Sequence, residues 1–268
     1  MTSPVNVSIQ LICNRIRLSF LALIVSSSAP VQCSISRHAT FKLSDLGHPV
    51  ITCGYTDHAR QYQVAAIFVV SRRTNHEYKE CFWSLSKLVY NIRGVSKQAT
   101  TVMGDAEDAP YIAIQNTPGF SQSTMQMCFF HVIYNVRKRI EHFPVDDSMV
   151  IMRFIMDIHL SGNLREFEQV RDRELYRWKD RAHLTKFIVY FEQQLLQDRY
   201  WKWQILYSPG GFATTNNPCE NLNAVMKLFL QRRWYHMRRL LLKLCVVLEL
   251  SSLSSQQRPI IFLFPPPI

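Results

Sequence analysis

The sequence lacks the features that mark disordered, fibrous and repetitive proteins. Charged residues make up only 19% of the 268 residues, and glycine and proline number 8 and 12, so neither a highly charged disordered chain nor a fibrous one is indicated. No internal repeat of solenoid period is visible, which excludes a repeat array. Because 47% of the residues are hydrophobic, we expect a folded globular protein with one sizeable core or two small ones.

Paired cysteines are also absent. The sequence has 7 cysteines, an odd number, and none of them forms a CxxC pair. They stand singly at Cys13, Cys33, Cys53, Cys81, Cys128, Cys219 and Cys245. This usage is typical of a reducing compartment, in which thiols are mostly buried small hydrophobic groups.

No hydrophobic run is long enough to span a membrane. The apolar run at residues 18–25 is far too short for that. It follows Arg15 and Arg17 and precedes small residues, so the segment up to residue 30 is similar to a secretory signal. Its long polar lead-in and the lack of an A-x-A site favour a strand, a short buried helix or a non-native start, and secretion stays as the alternative. We therefore predict that residues 1–30 form an atypical N-terminal segment that precedes the core.

Positive charge is in excess, with a formal net charge of +11. Much of the excess lies in two clusters, which comprise Arg137, Lys138 and Arg139, and then Arg232, Arg233, Arg238, Arg239 and Lys243. Basic surfaces of this kind favour polyanions such as nucleic acid. Solvated helix faces carry the same residues, so charge alone leaves both interpretations open.

Strands and helices alternate along residues 31–130. Apolar and β-branched runs predict strands at residues 31–43, 49–55, 62–70, 100–103 and 125–131. A helix capped by Thr74 or Asn75 and ended by Gly94 separates the third strand from the fourth, and a helix at residues 106–115 separates the fourth from the fifth. A basic helix follows. The order predicts a mixed five-stranded sheet flanked by helices, with three antiparallel strands followed by parallel ones, which is the arrangement of RNase H-like folds.

The rest of the chain is predicted to be helical. The pattern at residues 146–206 indicates an all-helical insertion within a core that extends over residues 31–245. A loop follows, and Asn216, Asn217 and Pro218 open a last helix that runs to Gln231. Residues 246–268 are expected to form an irregular tail.

Two acidic residues stand where catalysis is plausible. Asp105 follows a predicted strand directly, at the kind of strand end where ligands and catalytic groups gather in mixed sheets. It also suits a helix N-cap. Glu220 lies near the start of the last helix, where Asn217 as N-cap, Pro218 at N1 and Glu220 at N3 would form a variant capping box. A glutamate at that position can equally point into a cleft and bind a divalent cation.

A third candidate is the pair Cys128 and His131. Their C-x2-H spacing fits two ligands of a zinc site. Because no second pair is evident, a structural role is favoured, with Cys128 buried in the strand and His131 hydrogen-bonded near the cleft.

Four segments resemble, in order and spacing, the MULE (Mutator-like element) transposase domain. They are residues 38–43, 102–107, 128–135 and 215–221, which contain in turn His38, Asp105, Cys128 with His131, and Asn217 with Glu220. The resemblance extends over residues 36–245. It implies an RNase H-like fold whose two aspartates and one glutamate bind two Mg²⁺ (or Mn²⁺) ions for DNA cleavage and strand transfer. Asp105 and Glu220 match the second and third acids, and Cys128, His131 and Asn217 would line the cleft.

The first acid departs from the pattern. His38 stands at the position where the family has aspartate. Mg²⁺ requires oxygen ligands, so an imidazole is a poor substitute. We therefore expect cleavage activity to be lost or weak.

The resemblance also implies partners and a location. It indicates DNA as the partner, a nuclear location and possible homo-oligomers. No cysteine–histidine finger is present on either side of the core, so DNA contact is expected to be non-specific, through Arg137 to Arg139 and the arginines at 232–239. The leading hypothesis is a transposase-derived protein with impaired catalysis. The alternatives are a non-catalytic domesticated module that binds DNA or protein, and a secreted interaction protein if residues 15–30 are a true signal.

Overall fold

The computed structural model describes residues 10–14, 18–22, 32–35, 43–56, 62–94, 99–197, 199–208 and 213–256. These residues form a mixed α/β structure. Its strands are β1 (Gln10–Asn14), β2 (Leu18–Ala22), β3 (Gln32–Ile35), β4 (Val50–Thr56), β5 (Tyr62–Val69), β6 (Thr101–Gly104) and β7 (Thr124–Met127). Its α-helices are α1 (Asn75–Arg93), α2 (Asp108–Gln115), α3 (Phe129–Ile140), α4 (Val145–Leu160), α5 (Leu164–Trp178), α6 (Thr185–Tyr190), α7 (Asn217–Phe229) and α8 (Met237–Gln256).

All of these strands belong to one sheet of 7 strands in the order β1-β2-β5-β4-β3-β6-β7. The predicted count of five strands is therefore too low, because β1 and β2 extend the sheet beyond β5. The five predicted strands correspond to β3 to β7. β3, β4 and β5 pair antiparallel, while β6 and β7 continue the sheet in parallel with β3. Helices α1 and α2 supply the crossovers that parallel pairing requires.

A β-bulge interrupts the pairing of β4 with β5 between Cys53 and Gly54. A Cβ atom at Gly54 would lie 2.3 Å from the carbonyl oxygen of Gln63 and 2.6 Å from the ring of Tyr62. Only glycine tolerates that approach, so Gly54 fixes the position of the bulge.

The alternating side chains of β4 and β5 build two cores. Ile51, Cys53, Ala66 and Phe68 face α1 and α2. Val50, Val64, Ile67 and Val69 face the other way, toward α7 and α8. Helices thus cover both faces of the sheet at β4 and β5. Helix α7 packs on the face opposite α1 and α2.

A third core joins α3 to the helical block, which comprises α4, α5, α6 and the π-helical turn Phe191–Gln197. Val132, Val136 and Ile140 of α3 pack in the same buried cluster as residues of α4, α5 and α6. The ring of Phe129, the first residue of α3, stacks on buried His159 of α4 with 3.5 Å between ring centroids and an interplanar angle of 2°. The helices after α3 therefore share their core with the helix that begins at the end of β7.

Several boundaries differ from the sequence-based prediction. β7 ends at Met127, so Cys128 lies outside the strand and His131 lies in α3. A strand was expected to continue here because residues 125–131 are largely apolar, but Phe129 is apolar for packing against His159 in the helical block. α8 continues to Gln256, beyond residue 246 where an irregular tail was predicted, because Leu244, Val247 and Leu248 pack in the core over β5. Residues 257–268 lie outside the described part of the chain.

The N-terminal segment contributes strands to the sheet. The apolar run for which a strand or short buried helix was predicted forms β2 at Leu18–Ala22, paired with β5. Among the described helices, none combines the length and the hydrophobicity needed to cross a membrane.

Candidate active site

Asp105 lies at the carboxyl end of β6, directly after Gly104. Its carboxylate is buried, and the residue is 4% exposed. The helix that follows begins later than predicted, with Glu107 as N-cap and Asp108 as its first residue. Asp105 is therefore not the N-cap of α2, and its carboxylate points to another contact.

That contact is the imidazole of His131, in the first turn of α3. Its Nδ1 atom lies 2.6 Å from Oδ1 of Asp105. Its Nε2 atom lies 3.7 Å from Oε1 of Glu220 on α7. One buried ring therefore stands between two carboxylates that are far apart in the sequence.

Cys128 holds the three segments of this site together. Its backbone N–H donates to the carbonyl oxygen of Gly104 at 2.9 Å. Its Sγ atom accepts a hydrogen bond from the backbone N–H of Asn216 at 3.2 Å. The next residue, Phe129, donates its N–H to the carbonyl oxygen of Thr214 at 3.2 Å. The end of β6, the start of α3 and the start of α7 are thus joined at one residue.

Helix α7 is docked on β4 by buried polar contacts. The hydroxyl of Thr52 donates to Oδ1 of Asn223 at 3.3 Å and lies 3.6 Å from Sγ of Cys219. Cys219, Asn223 and Met226 form the buried face of α7. Glu220, adjacent to that face, keeps its side chain 25% exposed, so it lies at the rim of the cleft and can meet a ligand.

The electrostatics of the site are dominated by His131. Burial by itself lowers the pKa of this imidazole, but the hydrogen bonds and charge interactions with Asp105 and Cys128 outweigh it and raise the pKa to about 10. An imidazolium is therefore expected at neutral pH, and it neutralises part of the negative charge of the two carboxylates.

One family model matches the part of the chain that carries Asp105 and His131. Residues 34–135 match the family model of the MULE transposase domain. The match confirms the resemblance predicted from the sequence over less than half of the chain, from β3 into α3. It includes Asp105, Cys128 and His131 and ends before Glu220. No curated protein matches the chain significantly.

MULE transposase domains generally use a divalent metal, so the donor atoms of this chain can be compared with that requirement. The set within 4.8 Å of one another comprises one carboxylate, one thiol and one imidazole, from Asp105, Cys128 and His131. Mg²⁺ prefers an all-oxygen shell, whereas this set suits a borderline-soft ion such as Zn²⁺. Among the described residues, the donors around Asp105 therefore do not fit Mg²⁺ as they stand.

One other predicted site residue is not among the described residues, and another lies on the surface. His38 lies outside the described residues. Asn217 is exposed, and the predicted capping box with Asn217 as N-cap does not form, because α7 starts at Asn217 and Asn216 is the N-cap. The shift of one residue buries Asn216 against Cys128.

Sequence reasoning missed Thr52, Asn216 and Asn223. The spacing of Cys219, Asn223 and Met226 at i, i+4 and i+7 is the available signal, because it defines one face of a helix. That face predicts burial of Asn223, but its partner Thr52 is 171 residues away in the sequence and only the fold reveals it.

The arginines of the two basic clusters and Lys138 are exposed, and Lys243 is half-buried. Arg137, Lys138 and Arg139 form the last turn of α3. Arg232 and Arg233 lie in the turn after α7, and Arg238 and Arg239 in the first turn of α8. Since a helix rises about 1.5 Å per residue, the end of α7 that precedes Arg232 and Arg233 is roughly 14 Å from Glu220.

We expect the raised pKa of His131 to be visible by NMR in metal-free protein. The His131 ring should remain protonated at pH 8, where a free imidazole with a pKa of about 6.5 is neutral. Because the folded-state pKa is raised, the pairing stabilises the fold fully below about pH 6.5 and loses this effect as the pH rises toward 10.

Asp105→Asn is the matched control for this titration. It removes the charge and keeps the shape, so burial should then dominate and the ring should lose its proton at a lower pH than in the natural chain. Deprotonation of His131 near pH 6.5 in the natural chain would contradict the ion pair.

Proposed function

We propose that this chain is a transposase-derived protein in which Asp105 and Glu220 are the second and third acids of a DNA-cleaving site, and that cleavage is impaired. The observation that carries the proposal is that Glu220 reaches the same imidazole as Asp105, with His131 Nε2 at 3.7 Å and Nδ1 at 2.6 Å from the two carboxylates. Glu220 lies outside the region that matches the MULE domain, so its arrival at the Asp105 cleft is an independent argument for the same site.

The sheet supports an RNase H-like fold for the core. Three antiparallel strands, β3 to β5, are followed by two strands parallel to β3. β3 pairs with β6 so that Ser34 lies beside Met103, and both strands run toward the end of the sheet that carries Asp105. His38 follows β3 by three residues in the sequence, which makes it the candidate for the position of the first acid.

Impairment follows from the donor atoms. Two closely spaced divalent ions would need several anionic oxygens, and Asp105 and Glu220 supply only two carboxylates. The imidazole of His131 already lies against both carboxylates. With histidine in place of aspartate at position 38, Mg²⁺ should bind weakly and the chemistry that the metal supplies, activation of water or a 3′-hydroxyl, should be slow.

Restoring the first acid tests this account. We expect His38→Asp to tighten Mg²⁺ binding by at least about 10-fold in calorimetry, since even outer-shell partners change metal affinity about 10- to 100-fold. The same variant should gain nicking of supercoiled plasmid. Asp105→Asn and Glu220→Gln, each added to His38→Asp, should abolish both gains.

Two results would count against the proposal in different ways. Robust Mg²⁺-dependent nicking by the natural chain, lost in Asp105→Asn, would mean that His38 is tolerated and that the site is not impaired. If His38→Asp gains neither metal affinity nor nicking, His38 is not the missing ligand position.

DNA binding is proposed to be electrostatic and non-specific. The MULE domain implies interaction with DNA in general. In this chain the exposed arginines and lysine of the two basic clusters are suited to phosphate contacts, which supply most non-specific affinity. A nuclear location is part of the same proposal.

Charge reversal tests the electrostatic contribution. The variants are Arg137→Glu with Lys138→Glu, and Arg232→Glu with Arg233→Glu. Each double variant should weaken binding to all duplexes alike. It should also lower the steepness of the slope of log K against log[salt] by about 2, because each lost phosphate contact removes about 0.9. The control is Arg153→Glu with Arg165→Glu, two exposed arginines of the helical block. Equal binding by the reversed and natural chains would show that these clusters are only solvated surface.

A non-catalytic domesticated module is the second candidate. The observation in its favour is the Asp105–Cys128–His131 donor set, which does not suit Mg²⁺. This candidate shares the DNA-binding prediction and differs in the outcome for His38→Asp, which would then gain no nicking.

A further inference from the structure

A polar cavity of about 580 Å³ opens beside the candidate active site. Its volume is within the range of about 300–1,000 Å³ that small-molecule sites occupy. The walls come from the start of α2, from α3, from α6 and the π-helical turn Phe191–Gln197, and from the segment after that turn. The lining residues that bear on its chemistry are Asn135, Arg139, Tyr190, Gln194, Arg199 and Tyr200.

The cavity lies along the face of α3 that also carries His131. His131, Asn135 and Arg139 are spaced by four residues, so they lie on the same side of the helix. His131 contacts Asp105, while Asn135 and Arg139 line the cavity. At about 1.5 Å per residue, Arg139 is about 12 Å beyond His131. Ala106, the residue after Asp105, is part of the cavity wall.

Arginine guanidinium groups lie over tyrosine rings at this cavity and next to it. The guanidinium carbon of Arg139 lies 3.6 Å from the ring centroid of Tyr190. Arg199 lies 5.4 Å from the ring of Tyr111 and 5.7 Å from that of Tyr200. These are platforms of the type on which unstacked bases bind, because every base offers a π-face to an aromatic ring or a guanidinium plane.

The acidic groups of the cavity are already paired. Glu107 forms an ion pair with Arg73. Asp108 accepts a hydrogen bond from the hydroxyl of Tyr200 at 2.7 Å and lies 3.4 Å from Arg199. Among the residues that the structure describes, no carboxylate forms an ion pair with Arg139. The charge of Arg139 is therefore available to a nucleotide.

The backbone beside the cavity is also unusual. Phe191–Gln197 forms a π-helical turn after α6, and π-helical turns inside α-helices occur frequently at functional sites. This turn supplies Gln194, whose exposed amide lies at the cavity wall and can hydrogen-bond to the edge of a base.

We propose that this cavity holds one unpaired nucleotide of the DNA strand that lies in the cleft. The base stacks on the guanidinium of Arg139, which Tyr190 supports from the other side, and the amides of Asn135 and Gln194 hydrogen-bond to the base edge. The inference rests on the proposed function, since it takes DNA as the occupant of the cleft. The inference adds to the proposed function a binding preference for DNA that has an unpaired end or a distorted duplex.

Fluorescence anisotropy with chelator present tests this preference without cleavage. The probes are a short blunt duplex and the same duplex extended by a few unpaired thymidines on the 3′ or the 5′ strand. The natural chain should bind one extended duplex about 5- to 100-fold more tightly than the blunt one, the range that base stacking on aromatic side chains provides. Tyr190→Leu and Arg139→Ala should remove most of this preference.

Matched controls separate stacking from charge. Arg137→Ala removes one positive charge from the same turn of α3 but not from the cavity wall, so it should weaken both duplexes equally and keep the preference. Tyr176→Leu, at an exposed tyrosine of α5, should change neither affinity.

The proposal is overturned if the natural chain binds blunt and extended duplexes equally, or if Arg139→Ala and Tyr190→Leu retain the full preference. It is also overturned if free thymidine monophosphate competes as well as the extended duplex, because the cavity would then be a site for a free nucleotide. Failure to bind any of the duplexes would instead contradict the proposed function, on which this inference depends.

Discussion

The site depends on the hydrogen bonds of one residue, Cys128. Its N–H bonds to Gly104 at the end of β6, and its thiol accepts from Asn216 before α7. These two contacts fix the start of α3 between the strand that carries Asp105 and the helix that carries Glu220. Because Cys128 is fully buried, replacing its sulfur with a larger or a charged group would disturb all three segments together.

The same junction explains why one histidine meets two acids. α3 begins directly after Cys128, so its first turn points His131 at Asp105. The Thr52–Asn223 contact sets α7 on β4, which brings Glu220 to the other side of the ring. In this arrangement the ring of His131 lies between the two carboxylates. It provides a partner for a buried acid that would otherwise be unpaired, and it occupies the place where two hard metal ions would have to bind.

The helical block packs on α3 and forms part of the cavity wall. It shares its core with α3 through Val132, Val136 and Ile140, and its π-helical turn forms one wall of the cavity beside Arg139. The block therefore lies beside α3, next to the cavity. In the proposed complex, a strand of DNA that passes Asp105 and Glu220 meets this wall next.

Local patterns predicted much of the fold and less of the site. Apolar and β-branched runs predicted β4 and β5, and Thr74 and Gly94 predicted the ends of α1, which the structure confirms. The boundary after β7 was wrong because Cys128 and Phe129 are apolar for tertiary reasons that periodicity does not register. The Asn216–Cys128 bond, the Thr52–Asn223 bond and the cavity depend on contacts between distant segments, so no local pattern contains them.

The central proposal is that Asp105 and Glu220 are ligand positions of one metal-dependent site and that position 38 is the place of the missing first acid. Anomalous diffraction from crystals of the His38→Asp variant soaked in Mn²⁺ tests it most directly, since Mn²⁺ accepts the same oxygen ligands as Mg²⁺. The account predicts an anomalous peak bound by the carboxylates of Asp105, Glu220 and the new aspartate, with His131 displaced from Asp105. A peak held by Cys128 and His131 with Glu220 remote from it, or no peak in the cleft at saturating Mn²⁺, would contradict the account.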